Sequence, residues 1–263
     1  MNEGRQTHGR LAGRRALITG GGSGIGMATA IQLATEGAAV VVVDVRKDAA
    51  ETVAEDIRER DGRAVALAAD VRDELSMTAA VDQAARELAG LDTVAACAGI
   101  VAASSTHETS LDAWETMLRV NLTGVFLVVK HAVPHLIEVG GGAIVTIGSA
   151  ASLVAAGRSS AYDASKGGVL QLTRAVAVEY VDRGIRANCV CPGVVRTNLA
   201  ANSRDLTQLG TDAPGAPASR IDVPMSRAAD PAEIAAVVAF LCSDEASFMT
   251  GAAVPVDGGY TAI

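Results

Sequence analysis

The stretch from Leu17 to Gly37, LITGGGSGIGMATAIQLATEG, constrains this chain more than any other. A short apolar run ends at Thr19, glycines follow at Gly20, Gly21, Gly22, Gly24 and Gly26, and a helical pattern then runs to Gly37. The order is strand, tight turn, helix, and the helix starts with little side-chain bulk around it. Its unpaired N–H groups and positive dipole end suit a phosphate. Taken alone the turn is a weak signal, because any tight strand-to-helix connection can use glycine. The same unit recurs along the rest of the chain, and that recurrence gives it weight.

Arg14–Thr19 reads as the first strand and Gly24–Glu36 as the first helix, stopped by Gly37. Ala38–Val43 is apolar throughout, as a strand covered on both faces should be, and ends at Asp44. A helix over about 48–60 leads to a strand at Val65–Ala69, closed by Asp70. A helix from Asp73 or Glu74 to Ala89 leads to a fourth strand, Leu91–Cys97. Thr109–Val139 reads as one long helix, opened by a Thr109-x-x-Asp112 capping pattern and bent or broken near Gly124 or Pro134. Ala143–Ile147, a helix over Ser160–Asp182, and Ile185–Cys191 follow. Residues 198–226 show no clean period. A helix opened by Asp230–Pro231 and running to about Cys242, then a strand at Ala252–Val256, complete the series. Alternation of this kind predicts an α/β protein: one doubly wound, Rossmann-type parallel sheet of about seven strands with helices on both faces. Residues 1–10 are expected to be a flexible lead-in and residues 11–263 a single domain.

Composition narrows the function classes. Among 263 residues aromatics are only 3%, so the core is built from Ala, Val, Leu and Ile. Net charge is −8, which argues against a nucleic-acid partner despite the basic Arg5, Arg10, Arg14 and Arg15. No apolar run reaches the roughly 18 residues of a membrane span, and residues 1–12 lack the apolar core of a secretory signal. Cys97, Cys189, Cys191 and Cys242 fit neither a disulfide framework nor a zinc site. A cytoplasmic protein with no membrane or nucleic-acid partner is expected. His131, His135 and Glu138 have helical metal-pair spacing, but Pro134 between them favours ordinary histidines, so no metal site is assigned.

Ligands of an open parallel sheet bind at the carboxyl ends of its strands. Gly20 to Gly26, Asp44, Asp70, Gly99, Ser149 and Pro192 to Thr197 all fall there. Asp44 can accept hydrogen bonds from an adenosine ribose and repels a 2′-phosphate, which favours NAD over NADP. Arg46 is near enough to meet a phosphate, and the alternative reading of Asp44 is a helix N-cap. Tyr162 and Lys166 are four apart at a helix start and share a face, and Ser149 ends the preceding strand. A phenol with a pKa near 10 is a poor acid or base at neutral pH. A neighbouring ammonium is expected to bring it into range, and a serine hydroxyl can stabilise a carbonyl oxygen that gains charge.

On these residues the chain resembles the short-chain dehydrogenase/reductase family over residues 11–259. Thr19-Gly-Gly-Gly-Ser-Gly24-Ile-Gly26 matches its TGxxxGxG turn, and Asp70–Val71 its adenine-contacting pair. Asn121, Ser149, Tyr162 and Lys166 match its catalytic tetrad. Pro192-Gly-Val-Val-Arg-Thr197 matches its PG motif. The resemblance implies cofactor contacts at Gly20, Ser23, Gly24, Ile25, Gly26, Asp44, Val45, Asp70, Val71, Ala98, Gly99, Tyr162, Lys166, Pro192, Gly193, Val195 and Thr197. It implies an alcohol or ketone substrate, a mobile substrate lid over 198–226, and a homotetramer pairing the helices at 109–139 and 160–182. Val169, Leu172, Val176 and Ala177 fit such a subunit face or, equally, contact with the sheet. Tyr162 would move the proton, Lys166 tune it, Ser149 hold the oxygen and Asn121 help hold a relay water. One departure stands out: the family's NNAG is Ala96-Cys97-Ala98-Gly99 here, with both asparagines missing. Two other readings remain, an NADPH-dependent 3-oxoacyl reductase and a non-catalytic dinucleotide-binding protein.

Overall fold

The computed structural model describes residues 9–155, 157, 159–207 and 223–262. Its strands are β1 (Arg15–Thr19), β2 (Ala39–Asp44), β3 (Ala64–Ala68), β4 (Thr93–Ala96), β5 (Gly142–Ile147), β6 (Ile185–Pro192) and β7 (Ala253–Val256). Its helices are α1 (Gly24–Thr35), α2 (Lys47–Glu59), α3 (Glu74–Leu88), α4 (Leu111–Leu118), α5 (Gly124–Glu138), α6 (Ser160–Glu179), α7 (Leu199–Thr207) and α8 (Pro231–Cys242). The strands form one parallel sheet in the order β3-β2-β1-β4-β5-β6-β7.

Successive side chains of a strand point to opposite faces, and here both faces are covered. Leu17, Val41, Val43, Val94 and Ile144 meet Met77, Leu136 and Val169 of α3, α5 and α6 on one side. Ala16, Ile18, Val40, Val42 and Val145 meet Leu33, Val53, Ile57, Ile234 and Val238 of α1, α2 and α8 on the other. This double cover is why the strands are apolar without alternation. Val169, Val176 and Ala177 belong to the first of these cores, with Leu172 packed against it, so these residues face the chain's own interior.

The long central helix departs from expectation in two ways. Thr109 does not cap it: its hydroxyl donates to the Ser105 carbonyl, while Ser110 accepts from the Ala113 N–H at 3.2 Å. Between α4 and α5 the residues Arg119–Thr123 form one π-helical turn, in which the Gly124 N–H reaches back to the Arg119 carbonyl. Pro134 lies inside α5 without ending it. Lys130, whose carbonyl loses a partner there, and Pro134 are both exposed, so water can replace the missing bond. The stretch Leu111–Glu138 is long and apolar enough to cross a membrane by length and composition, yet 56% of its most apolar window is buried inside the protein. Within 198–226 the sequence shows no period, but the structure has α7. Residues 208–222 of that stretch lie outside the described residues.

Candidate active site

The cleft opens at the carboxyl ends of the strands, where the sheet order passes from β1 to β4. The strand order reverses there, with successive connections running outward to opposite sides, and such a reversal leaves a crevice. Its volume is about 520 Å³. All the expected cofactor-contacting residues, from Gly20 through Asp44, Asp70 and Ala98 to Thr197, line it, together with Ser149, Tyr162 and Lys166. Asn121 does not line it; it is fully buried behind the wall.

The glycine turn is shaped by close approach. A Cβ on Gly26 would stand 2.1 Å from the Gly20 carbonyl oxygen. Gly20 has φ of +65°, and a Cβ there would lie 2.7 Å from the Ala98 Cα. The first turn of α1 is thus pressed against the β1 and β4 ends, which leaves its N-terminal N–H groups bare toward the cleft. Asp44 ends β2, and its two oxygens accept from the Gly22 and Arg46 N–H groups, each at 3.0 Å. It does not cap α2, whose N-cap is Arg46. Asp70 is gripped by Arg72, which donates from Nε and from its terminal nitrogen and holds the carboxyl below its ordinary range.

The Ala96-Cys97 departure leaves the strands joined, since the Cys97 N–H still donates to the Thr19 carbonyl at 3.2 Å. The buried Thr19 hydroxyl has no hydrogen-bond partner among the described residues. Cys97 lines the cleft, and burial pushes its thiol up to about 12, so it stays protonated.

At the other end of the cleft, Lys166 donates from Nζ to the Ile147 carbonyl at 2.8 Å and is 4% exposed. Burial lowers its pKa to about 8. Its Nζ stands 5.8 Å from the centre of the Tyr162 ring. The phenol is raised above its ordinary value by burial, with a hydrogen bond from Ser149 acting the other way. This reverses the expected direction. Burial outweighs the Ser149 hydrogen bond, and the nearby Asp163 carboxylate acts in the same direction as burial. Asn121 uses both ends of its amide on Ile100: Oδ1 accepts from the N–H at 2.8 Å and Nδ2 donates to the carbonyl at 3.0 Å. Nδ2 also lies 3.1 Å from the Ser165 hydroxyl, which donates to the Tyr162 carbonyl. The π turn delivers Asn121 to this position.

Three features escape sequence reasoning, while Arg46, which the sequence does raise, lines the cleft beside Asp44. Arg72 holds Asp70. Asn202 of α7 reaches the Ser23 hydroxyl at 3.4 Å, and Ser203 accepts from the Val101 N–H at 2.9 Å. The two arginines each follow a strand-end aspartate by two residues, which is a usable signal. The α7 contacts carry none, because they join segments far apart in the chain. Thr78 meets His131 and Asp82 meets His135, and no metal-binding cluster of His, Cys, Asp or Glu occurs among the described residues.

Comparison with known proteins places this architecture among oxidoreductases. A family profile described as Enoyl-(Acyl carrier protein) reductase matches residues 20–261. The cis-4-hydroxycyclohexanecarboxylate dehydrogenase of Sinomonas cyclohexanicum is 45% identical over 254 residues, covering 96% of this chain and 98% of that protein. The cyclohexanol dehydrogenase of Acinetobacter sp. strain SE19 is 41% identical over 247 residues, 94% of each. Among solved structures, levodione reductase superposes with a TM-score of 0.88 at 37% identity, covering 95% of this chain and 98% of that one.

Proposed function

Because the chain belongs to the short-chain dehydrogenase/reductase family, we propose that it transfers a hydride between NAD(H) and a secondary alcohol or ketone, with Ser149, Tyr162 and Lys166 as the reacting groups. The observation that carries this reading is the convergence of these three side chains at one end of a cleft whose other end holds Asp44. The relatives include alcohol dehydrogenases, which supports secondary-alcohol chemistry.

The cleft fits a dinucleotide. The bare start of α1 accepts a pyrophosphate, and Gly20 and Gly26 leave no room for side chains there. Asp44 keeps a lone pair on each oxygen for ribose hydroxyls, and its charge disfavours a 2′-phosphate. Asp70–Val71 and Ala98–Gly99 take the adenosine side, and Pro192, Gly193, Val195 and Thr197 the nicotinamide side. When bound, the nicotinamide ring supplies or accepts the hydride. In the oxidative direction the Tyr162 oxygen takes the hydroxyl proton of the alcohol; in reduction it returns a proton to the ketone oxygen. Ser149 donates a hydrogen bond to that oxygen. Lys166 supplies the nearby positive charge, and Asn121 fixes the Ile100 segment that walls the site. The start of the 198–226 stretch borders the cleft through Asn198, Leu199, Ala201 and Asn202, which supports a substrate-covering role for it. Exposed Phe126, Val178 and Phe248 support assembly as a homotetramer, and four free cysteines support a cytoplasmic setting.

Two measurements test the reading. NADH should quench or shift protein fluorescence at lower concentration than NADPH; tighter NADPH binding sinks the Asp44 argument and favours the 3-oxoacyl reductase alternative. Tyr162→Phe should abolish oxidation of cyclohexanol while NADH binding persists, and an unchanged rate overturns the mechanism.

A further inference from the structure

The turn that follows β5 contains a hydroxyl with two backbone partners, both belonging to residues of the site. Ser152 Oγ accepts from the Ser149 N–H at 3.1 Å and donates to the Lys166 carbonyl at 2.8 Å. Ser149 Oγ in turn accepts from the Ala151 N–H, closing a reciprocal cap over residues 150–152. Space below the turn is tight: a Cβ on Gly148 would stand 2.7 Å from Cys189 Sγ and 2.8 Å from Ser152 Oγ. The turn is therefore pressed onto β6, and the Ser152 hydroxyl ties it to α6 at the Lys166 carbonyl, beside the Ser149–Tyr162 hydrogen bond and the bond from Lys166 Nζ to Ile147.

We propose that Ser152 is a positioning residue, a bridge that sets the spacing between the Ser149 backbone and the Lys166 turn of α6. The inference rests on the reading of Ser149 and Lys166 as reacting groups. Removing the hydroxyl frees the Ser149 N–H and releases α6 at the point where Lys166 must reach the Ile147 carbonyl. Water then gains access to the ammonium, which is now surrounded by Tyr162, Cys97, Cys189 and Cys191.

The test compares Ser152→Ala, which deletes both bonds, with Ser152→Thr, which keeps the hydroxyl. Cyclohexanol and NAD+ serve as substrates, and lysine labelled with carbon-13 at the ε position reports Lys166. In Ser152→Ala, kcat is expected to fall at least about threefold to tenfold, the net worth of one of the two lost hydrogen bonds, while the KM for NAD+ stays within about twofold. The lysine signal that titrates near 8 should move upward. Ser152→Thr should restore both. A Ser152→Ala protein with unchanged kcat and an unmoved lysine midpoint overturns the proposal, and so does a fall in kcat without the lysine shift. If the parent protein oxidises no secondary alcohol, the functional reading falls, and the lysine midpoint still decides whether Ser152 holds Lys166.

Discussion

Lys166 is a cation with almost no water around it. Its pKa near 8 means that the folded protein gives up this proton well before the unfolded chain does. The sign is that of a base lowered by burial: the charged form is penalised in full below about 8, and the penalty fades as pH rises from there toward the unfolded value of 10.5. The sequence contains three lysines, Lys47, Lys130 and Lys166, so the effect is observable. An NMR titration of ε-labelled lysine should show one signal with a midpoint near 8, absent in Lys166→Met. At the start of the cleft the controlling residue is Gly26, which has no space for a methyl group. Gly26→Ala should cost about 2 kcal/mol or more in denaturant unfolding and remove NADH binding, because the Gly20 backbone must move. At this scale the lining of the cleft is legible in the sequence, since Gly, Asp and Ser collect at strand ends and Tyr162 and Lys166 share one face at the start of a helix. The direction of the Tyr162 shift is not, because it depends on burial by segments far along the chain.

Among the elements, α8 shows what a sequence can announce. Asp230 accepts from the Ala232 N–H, Glu233 accepts from the Asp230 N–H, and Pro231 occupies the first helical position, where no N–H is needed. Asp230→Ala should lower stability by about 1 kcal/mol, or about 2–4 °C in melting temperature by calorimetry. The other end of α8 is closed by a residue no local pattern marks. Arg186 of β6 donates to the Leu241 and Ser243 carbonyls, each at 2.9 Å. The same contrast explains α7 and the π turn. Ser203 anchors α7 through the Val101 N–H, and the π turn rests on a bond from Gly124 to Arg119, so neither leaves a period to read. Thr109 fails as a cap for a related reason: Ser105 claims its hydroxyl and Ser110 stands one residue nearer the helix.

For the whole molecule, a parallel sheet of about seven strands with both faces covered follows from apolar strands alternating with helices, and this much was legible; the strand order comes from the structure. Of the two readings left open for Val169, Leu172, Val176 and Ala177, the structure gives contact with the internal core. Phe248 is fully exposed and Val178 is 78% exposed, apolar surface of the kind that the proposed assembly would cover. Light scattering should give a mass near four chains of 26.6 kDa, and Phe248→Glu should reduce it.

The strand order also dictates how late the protein acquires its function. Ala16 pairs with Thr93, and Gly142 pairs with Ile185, so no two strands meet through a hairpin. The central pairing waits until three helices and the strands between them have been made. Lys166 and Thr197 arrive later still. A nascent chain halted before α6 therefore holds the glycine turn without Tyr162 and Lys166. Such non-local pairing also slows folding, because chain closure precedes most of the stabilising contacts. Growth from the ribosome thus exposes apolar strands well before any nucleotide can reward their assembly, a delay that falls on chaperones rather than on the finished enzyme.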